Sequence, residues 1–211
     1  AGHREAQALA QRLKKEGIDR VYSSPVNRAV HTMQYSADPL GLEHIIEDWT
    51  AELELKSVHI SGTNLAAWNI PGEIVRSAKP YPNQDNWASR DPYCDFVQPY
   101  ERIKEDSDAF LRRHGYSRED GKYRILSANR ETIAVFCHHG FGLTWLAHLL
   151  ELPFPLVWSG FWLPPSSVTT VLFEERTSEW AVPRCIGLGS IDHLHEAGLP
   201  MSTSGLLANC T

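Results

Sequence analysis

The chain is 211 residues long, 42% hydrophobic, and carries a formal net charge of −6. That is enough apolar material for one well-cored domain, and the lack of any basic run argues against nucleic acid as a partner. No apolar stretch is long and unbroken enough to span a membrane. The four cysteines, Cys94, Cys137, Cys185 and Cys210, form no Cys-x-x-Cys pair of the kind a zinc ribbon or redox site needs. Sparse cysteines suit a reducing cytosol, so a cytoplasmic location is expected.

The first residue is Ala, and residues 2–6 run straight into a helix pattern, as in a chain entered partway. Ala6, Leu9, Ala10 and Leu13 fall at helical spacing, and Gly17 suits the C-cap. Residues 18–23 then read as a short strand. Ser24-Pro25 stops it and opens a second helix through Ala29, Val30 and Met33, with Ser24 near the N-cap. Residues 42–47 read as another strand. From about 57 to 99 the periodicity breaks down among Pro71, Pro80, Pro82, Pro92 and Pro99. Loops this long in a compact domain are usually functional lids or disordered. The aromatics Trp68, Tyr81, Trp87 and Tyr93 argue against disorder.

Residues 101–114 are helical again, with Ile103, Phe110 and Leu111 on the apolar side. The run from Glu131 to Cys137 is nearly all apolar, as expected of a parallel strand buried on both faces. A tight turn at Gly140-Phe141-Gly142 leads to a helix over 143–152. Residues 166–173 and 180–182 read as strands, and the tail after Gly187 is weakly patterned. This order predicts one α/β domain over 1–211. Its architecture is a three-layer α/β/α sandwich around a mostly parallel sheet, interrupted by the irregular lid at about 57–99.

Ligands in open α/β sheets bind beyond the carboxyl ends of strands. Two such ends carry chemistry here. One is the segment from Ser23 to Ala29, in which Arg28 lies near a helix start where a guanidinium can fork phosphate oxygens. The other is Phe136-Cys137-His138-His139-Gly140. Read alone, Arg28 is most simply a solvated surface charge, and a strand-end histidine is as often structural as functional.

Together the stretches GHREAQALAQRL, VYSSPVNRAVHT, WTAELE and VFCHHGFGLTWLAHLLELP resemble the histidine phosphatase, or phosphoglycerate mutase-like, superfamily in order and spacing over most of the chain. The resemblance implies a metal-independent phosphomonoesterase that needs no cofactor and acts on a small phosphorylated metabolite through a phosphohistidine. It assigns phosphate binding to Arg28, Ser24 and His138, and a catalytic role to His138 and Glu52, with Glu54 as fallback acid. His139 stands where the family usually has glycine, at the pocket rim. Trp68, Trp87 and Tyr93 on the lid are candidates for substrate choice. The alternatives are an inactive phosphate-binding or scaffolding relative, or a phosphoglycerate mutase. Sheet-edge pairing into a homodimer is compatible with such a fold.

The family's nucleophile lies in an Arg-His-Gly triplet at the end of its first strand. Arg113-His114-Gly115 spells that triplet, but at the end of a helix. Basic side chains and a glycine belong there on dipole and C-cap grounds alone. The nucleophilic histidine is therefore expected upstream of residue 1, and His114 is expected to lie outside the site.

Overall fold

The computed structural model describes residues 2–54, 57–60, 62–77 and 79–206. Helix α1 (Gly2–Glu16) ends at Gly17 in a left-handed conformation. Strand β1 (Arg20–Ser23) leads to α2 (Asn27–Leu40) and β2 (His44–Ile46). A short hairpin, β3 (Val58–Ile60) and β4 (Thr63–Leu65), precedes α3 (Gly72–Val75) and the long α4 (Val97–Arg113). A second hairpin follows, β5 (Tyr116–Glu119) with β6 (Lys122–Ile125). Then come β7 (Ile133–Phe136), α5 (His139–Leu149), α6 (Phe154–Gly160), β8 (Val168–Glu175), β9 (Trp180–Ser190) and α7 (Asp192–Glu196).

The centre is a parallel sheet in the order β2-β1-β7, in which Ser23 pairs with Ile46 on one side and Phe136 on the other. Alternation along β1 sorts its side chains into two layers. Val21 joins Leu9 and Leu13 of α1 and Ala29 and Met33 of α2, whereas Tyr22 joins Phe110 and Leu111 of α4 and Leu149 of α5. Helices therefore cover both faces, and the α/β/α layering expected from the sequence is present. The strands expected over 166–173 and 180–182 are β8, shifted two residues along, and β9, which is much longer than expected. They run antiparallel to each other, within a separate sheet of order β5-β6-β9-β8.

Among the described residues β7 has β1 as its one strand partner, and β8 has β9. Three of the four residues of β7 are only partly buried, although the sequence pattern predicts burial on both faces. The free edges explain that difference, since a strand next to nothing cannot be fully covered. The first turn of α1 is tied to the entry of β8, where Ser166 Oγ donates to Glu5 Oε2 at 3.0 Å.

The described residues of the irregular segment include a well-packed core. Ala67, Ile70, Val75, Trp87, Tyr93 and Phe96 form one apolar cluster with Leu143 and Ala147 of α5 and Phe154, Val157 and Trp158 of α6. Edge-to-face rings hold it together: Trp87 stands 4.4 Å from Phe154 and Phe96 5.1 Å from Trp158.

The Arg113-His114-Gly115 triplet closes α4. The His114 ring packs on Phe110 at 4.8 Å and edge-on to Tyr22 at 5.5 Å, with Nδ1 3.3 Å from a Glu131 carboxylate oxygen. Gly115 has φ 91°, and a Cβ there would run into the Ser127 carbonyl. The glycine is thus required by the turn into β5. Gly115→Ala is expected to cost about 2–4 kcal/mol of stability, from positive-φ strain plus overpacking against backbone. Urea unfolding of the two proteins measures it.

Candidate functional site

The β1–β7 register brings two chain segments out side by side. The Ser24 amide donates to the Phe136 carbonyl at 2.8 Å, so Ser24 leaves the sheet beside the segment that carries Cys137 and His138. His138 then precedes α5 in extended conformation. Its Nε2 lies 2.7 Å from Ser24 Oγ and its Nδ1 2.7 Å from Arg28 Nη2. The three residues expected to share a phosphate are therefore in direct contact.

The hydrogen-bond inventory fixes the protons. A guanidinium can only donate, so Nδ1 of His138 accepts from Arg28 and the ring proton resides on Nε2, which donates to Ser24 Oγ. Ser24 Oγ also accepts from the Val26 amide at 3.2 Å. Ser24 does not cap α2, which begins after Val26, and it is fully buried. Its Oγ is thus a partner of the His138 ring. Burial, and then the neighbouring Arg28 charge, hold the His138 pKa down at about 4. Burial also pushes the adjacent Cys137 thiol up to about 12, which disfavours the thiolate.

Glu52 reaches the same place from the other side. It follows a turn of 3-10 helix at Asp48–Thr50 and is partly buried. Its Oε1 accepts from the Phe141 amide at 2.9 Å and from the Leu53 amide at 3.1 Å, while Oε2 lies 3.4 Å from the Gly140 amide. The carboxylate therefore caps the N-terminus of α5, where the helix dipole favours negative charge. Glu54 is exposed and makes none of these contacts.

Glu47 was not singled out by the sequence. Its amide donates to the Ser23 carbonyl at 2.9 Å. Its carboxylate accepts from Trp49 Nε1 at 2.8 Å and from Arg113 at 2.7 Å. It pins the Glu52 loop to β1. A lone acidic residue after a short strand carries no signal that separates this role from a solvated one.

His139 is the first residue of α5, and its Nδ1 lies 3.0 Å from the Leu163 carbonyl and 3.3 Å from the Leu163 amide. It turns toward the segment after α6 instead of joining Ser24 and Arg28. Of the three lid aromatics, Trp68 alone touches the α5 entry. Its ring lies against Gly140, where a Cβ would not fit, and 6.4 Å from the His139 ring. Trp87 and Tyr93 are 5% and 4% exposed and belong to the apolar cluster, so neither is available to flank a substrate. His114 is held among Phe110, Tyr22 and Glu131 and is not in contact with Arg28 or His138.

A neutral buried histidine makes stability depend on pH. Its pKa falls from the ordinary 6.5 to about 4 on folding. The unfolded chain therefore takes up the proton first, and stability is lost as pH drops from 6.5 toward 4. Partial solvent screening trims the loss to about 1–2 kcal/mol. In urea titrations across this window, His138→Gln is expected to lose less stability than the unaltered protein by that amount.

A solved phosphoserine phosphatase variant from Entamoeba histolytica, in complex with phosphoserine, superposes with TM-score 0.58 at 21% identity, over 90% of this chain and 82% of that one. A mycobacterial glucosyl-3-phosphoglycerate phosphatase complexed with VO3 superposes with TM-score 0.55 at 13% identity, over 88% and 83%. At these identities the likeness establishes the fold. No curated protein matches the chain. The model of the histidine phosphatase superfamily (branch 1) matches residues 1–184, and the chain belongs to that superfamily.

Proposed function

We propose that this protein is a phosphomonoesterase that hydrolyses a small phosphorylated metabolite through a phosphohistidine, without a metal. The observation that carries this reading is the contact chain Arg28–His138–Ser24 at the carboxyl ends of two adjacent parallel strands. In a family member, that is where a phosphoryl group is expected. Arg28 forks two phosphoryl oxygens and His138 holds a third, which stabilises the charge that develops as the P–O bond to the leaving group breaks. Glu52 lies across the α5 entry, in position to protonate the leaving oxygen and later to take a proton from attacking water. The segment over 57–99 serves as a lid, and Trp68 is the wall that the leaving group meets.

The attacking histidine is proposed to come from a strand upstream of residue 1. The edges of β7 and β8 left unpaired among the described residues support this. A strand between them that feeds α1 would end near the Glu5–Ser166 contact. The attacking nitrogen bonds to phosphorus as the leaving group departs with the Glu52 proton. Water then cleaves the P–N bond, giving its proton back to Glu52.

The test is turnover of p-nitrophenyl phosphate and a panel of sugar and amino-acid phosphates by the full chain, with EDTA present. Arg28→Ala and His138→Ala are each expected to lower kcat/KM at least 100-fold, as for lost transition-state stabilisation. His114→Ala is expected to retain most of the activity. Absence of turnover from a chain whose intact mass includes the upstream strand would favour an inactive phosphate-binding relative.

A further inference from the structure

The proposal concerns Ser24 and rests on the reading that Arg28 and His138 bind a phosphoryl group. In the structure His138 Nδ1 is an acceptor, because Arg28 Nη2 donates to it at 2.7 Å. An incoming phosphate competes for that guanidinium. Once Arg28 turns to the phosphate, Nδ1 presents a lone pair to anionic oxygens, which is repulsive. The ring must gain a proton at Nδ1 to become a phosphate ligand.

Two routes lead there. The ring can be protonated to imidazolium, or it can exchange its Nε2 proton for one at Nδ1 and stay neutral. Before phosphate arrives, burial and Arg28 hold the ring pKa at about 4, so it enters the complex neutral, and the second route keeps it so. The charges around it do not all help. Arg28 approaches from α2, Glu52 from the loop after β2 caps the next turn of α5, and Cys137 beside it is an uncharged thiol. The second route needs a partner at Nε2 that accepts from N–H in one state and donates to a bare nitrogen in the other. A hydroxyl does both, whereas a carboxylate or a backbone amide does only one. The buried group 2.7 Å from Nε2 is the Ser24 hydroxyl. Its other bond, accepted from the Val26 amide at 3.2 Å, is compatible with either orientation of its hydrogen.

We infer that Ser24 is a positioning residue that lets His138 switch tautomer when phosphate binds. In the empty pocket the ring is Nε2–H, donating to Ser24 and accepting from Arg28. In the phosphate complex it is Nδ1–H, donating to a phosphoryl oxygen and accepting from the Ser24 hydroxyl. The proton leaving Nε2 and the one arriving at Nδ1 both exchange with solvent, so the ring keeps one proton and no net uptake accompanies binding.

Nitrogen-15 NMR of histidine-labelled full chain, with and without inorganic phosphate at pH 7.5, tests this directly. The His138 signals, assigned with His138→Gln, are expected to exchange protonated and bare nitrogens on phosphate addition. Signals that shift while Nε2 keeps the proton, or that show both nitrogens protonated, overturn the proposal and leave the phosphate pocket standing. Signals unmoved by saturating phosphate overturn the pocket reading and the proposal with it. Ser24→Ala is expected to weaken phosphate binding about tenfold and to abolish the switch, with Ser24→Thr restoring both. A Ser24→Ala protein that melts normally and still switches would also overturn it.

Discussion

The pairing of β1 with β7 sets the position of everything else at the site. Its register puts Ser23 opposite Phe136, so the next residues, Ser24 and Cys137, leave the sheet together. Had the register slipped by one residue, the side chains of one strand would have changed faces. Val21 would then leave the α1–α2 layer and Tyr22 the α4–α5 layer, at the cost of both cores. Burial of these two residues therefore specifies the register, and the register specifies the Ser24–His138 contact. Site geometry is inherited from core packing.

The groups proposed to bind an anion are all engaged within the protein. Arg28 donates to His138, His138 to Ser24, and the first amides of α5 to Glu52. Such closure satisfies buried polar atoms that would otherwise cost stability. It also sets a condition for binding, since a ligand must offer more than the bonds it replaces. A tetrahedral dianion can do so at several donors at once. A carboxylate has fewer oxygens to offer and is matched internally by Glu52.

Much of this was legible in the sequence. Apolar spacing located α1, α2, α4 and β7, and the strand ends drew attention to Arg28 and His138, which the structure brings into contact. The Ser24–His138 contact was not legible, because it depends on a register between residues more than a hundred positions apart. Ser24 therefore read as a helix cap or a phosphate ligand. Trp87 and Tyr93 read as lid surface because prolines surround them. Their burial comes from Phe154 on α6, a short helix hidden behind Pro153 and Pro155. The β5–β6 hairpin did leave a trace. Asp120-Gly121 takes φ of 48° and 75°, the positive pair that a two-residue hairpin turn demands, and Asp-Gly is a strong signal for it.

The misplaced Arg-His-Gly triplet shows how one string of residues can answer to two different constraints. In the superfamily's motif the glycine follows a nucleophile at a strand end. Here Gly115 has positive φ and a carbonyl where a Cβ would be, and His114 is clamped between an aromatic pair and Glu131. Each of the three residues is accounted for by the end of α4 and the turn into β5. The proposed upstream strand, by contrast, would meet two demands with one element. Set between β7 and β8, it would cover the partly exposed side chains of β7 and deliver a histidine beside Arg28 and His138. Completing the sheet and completing the active site would then be one folding event, so loss of that strand would cost stability and chemistry together.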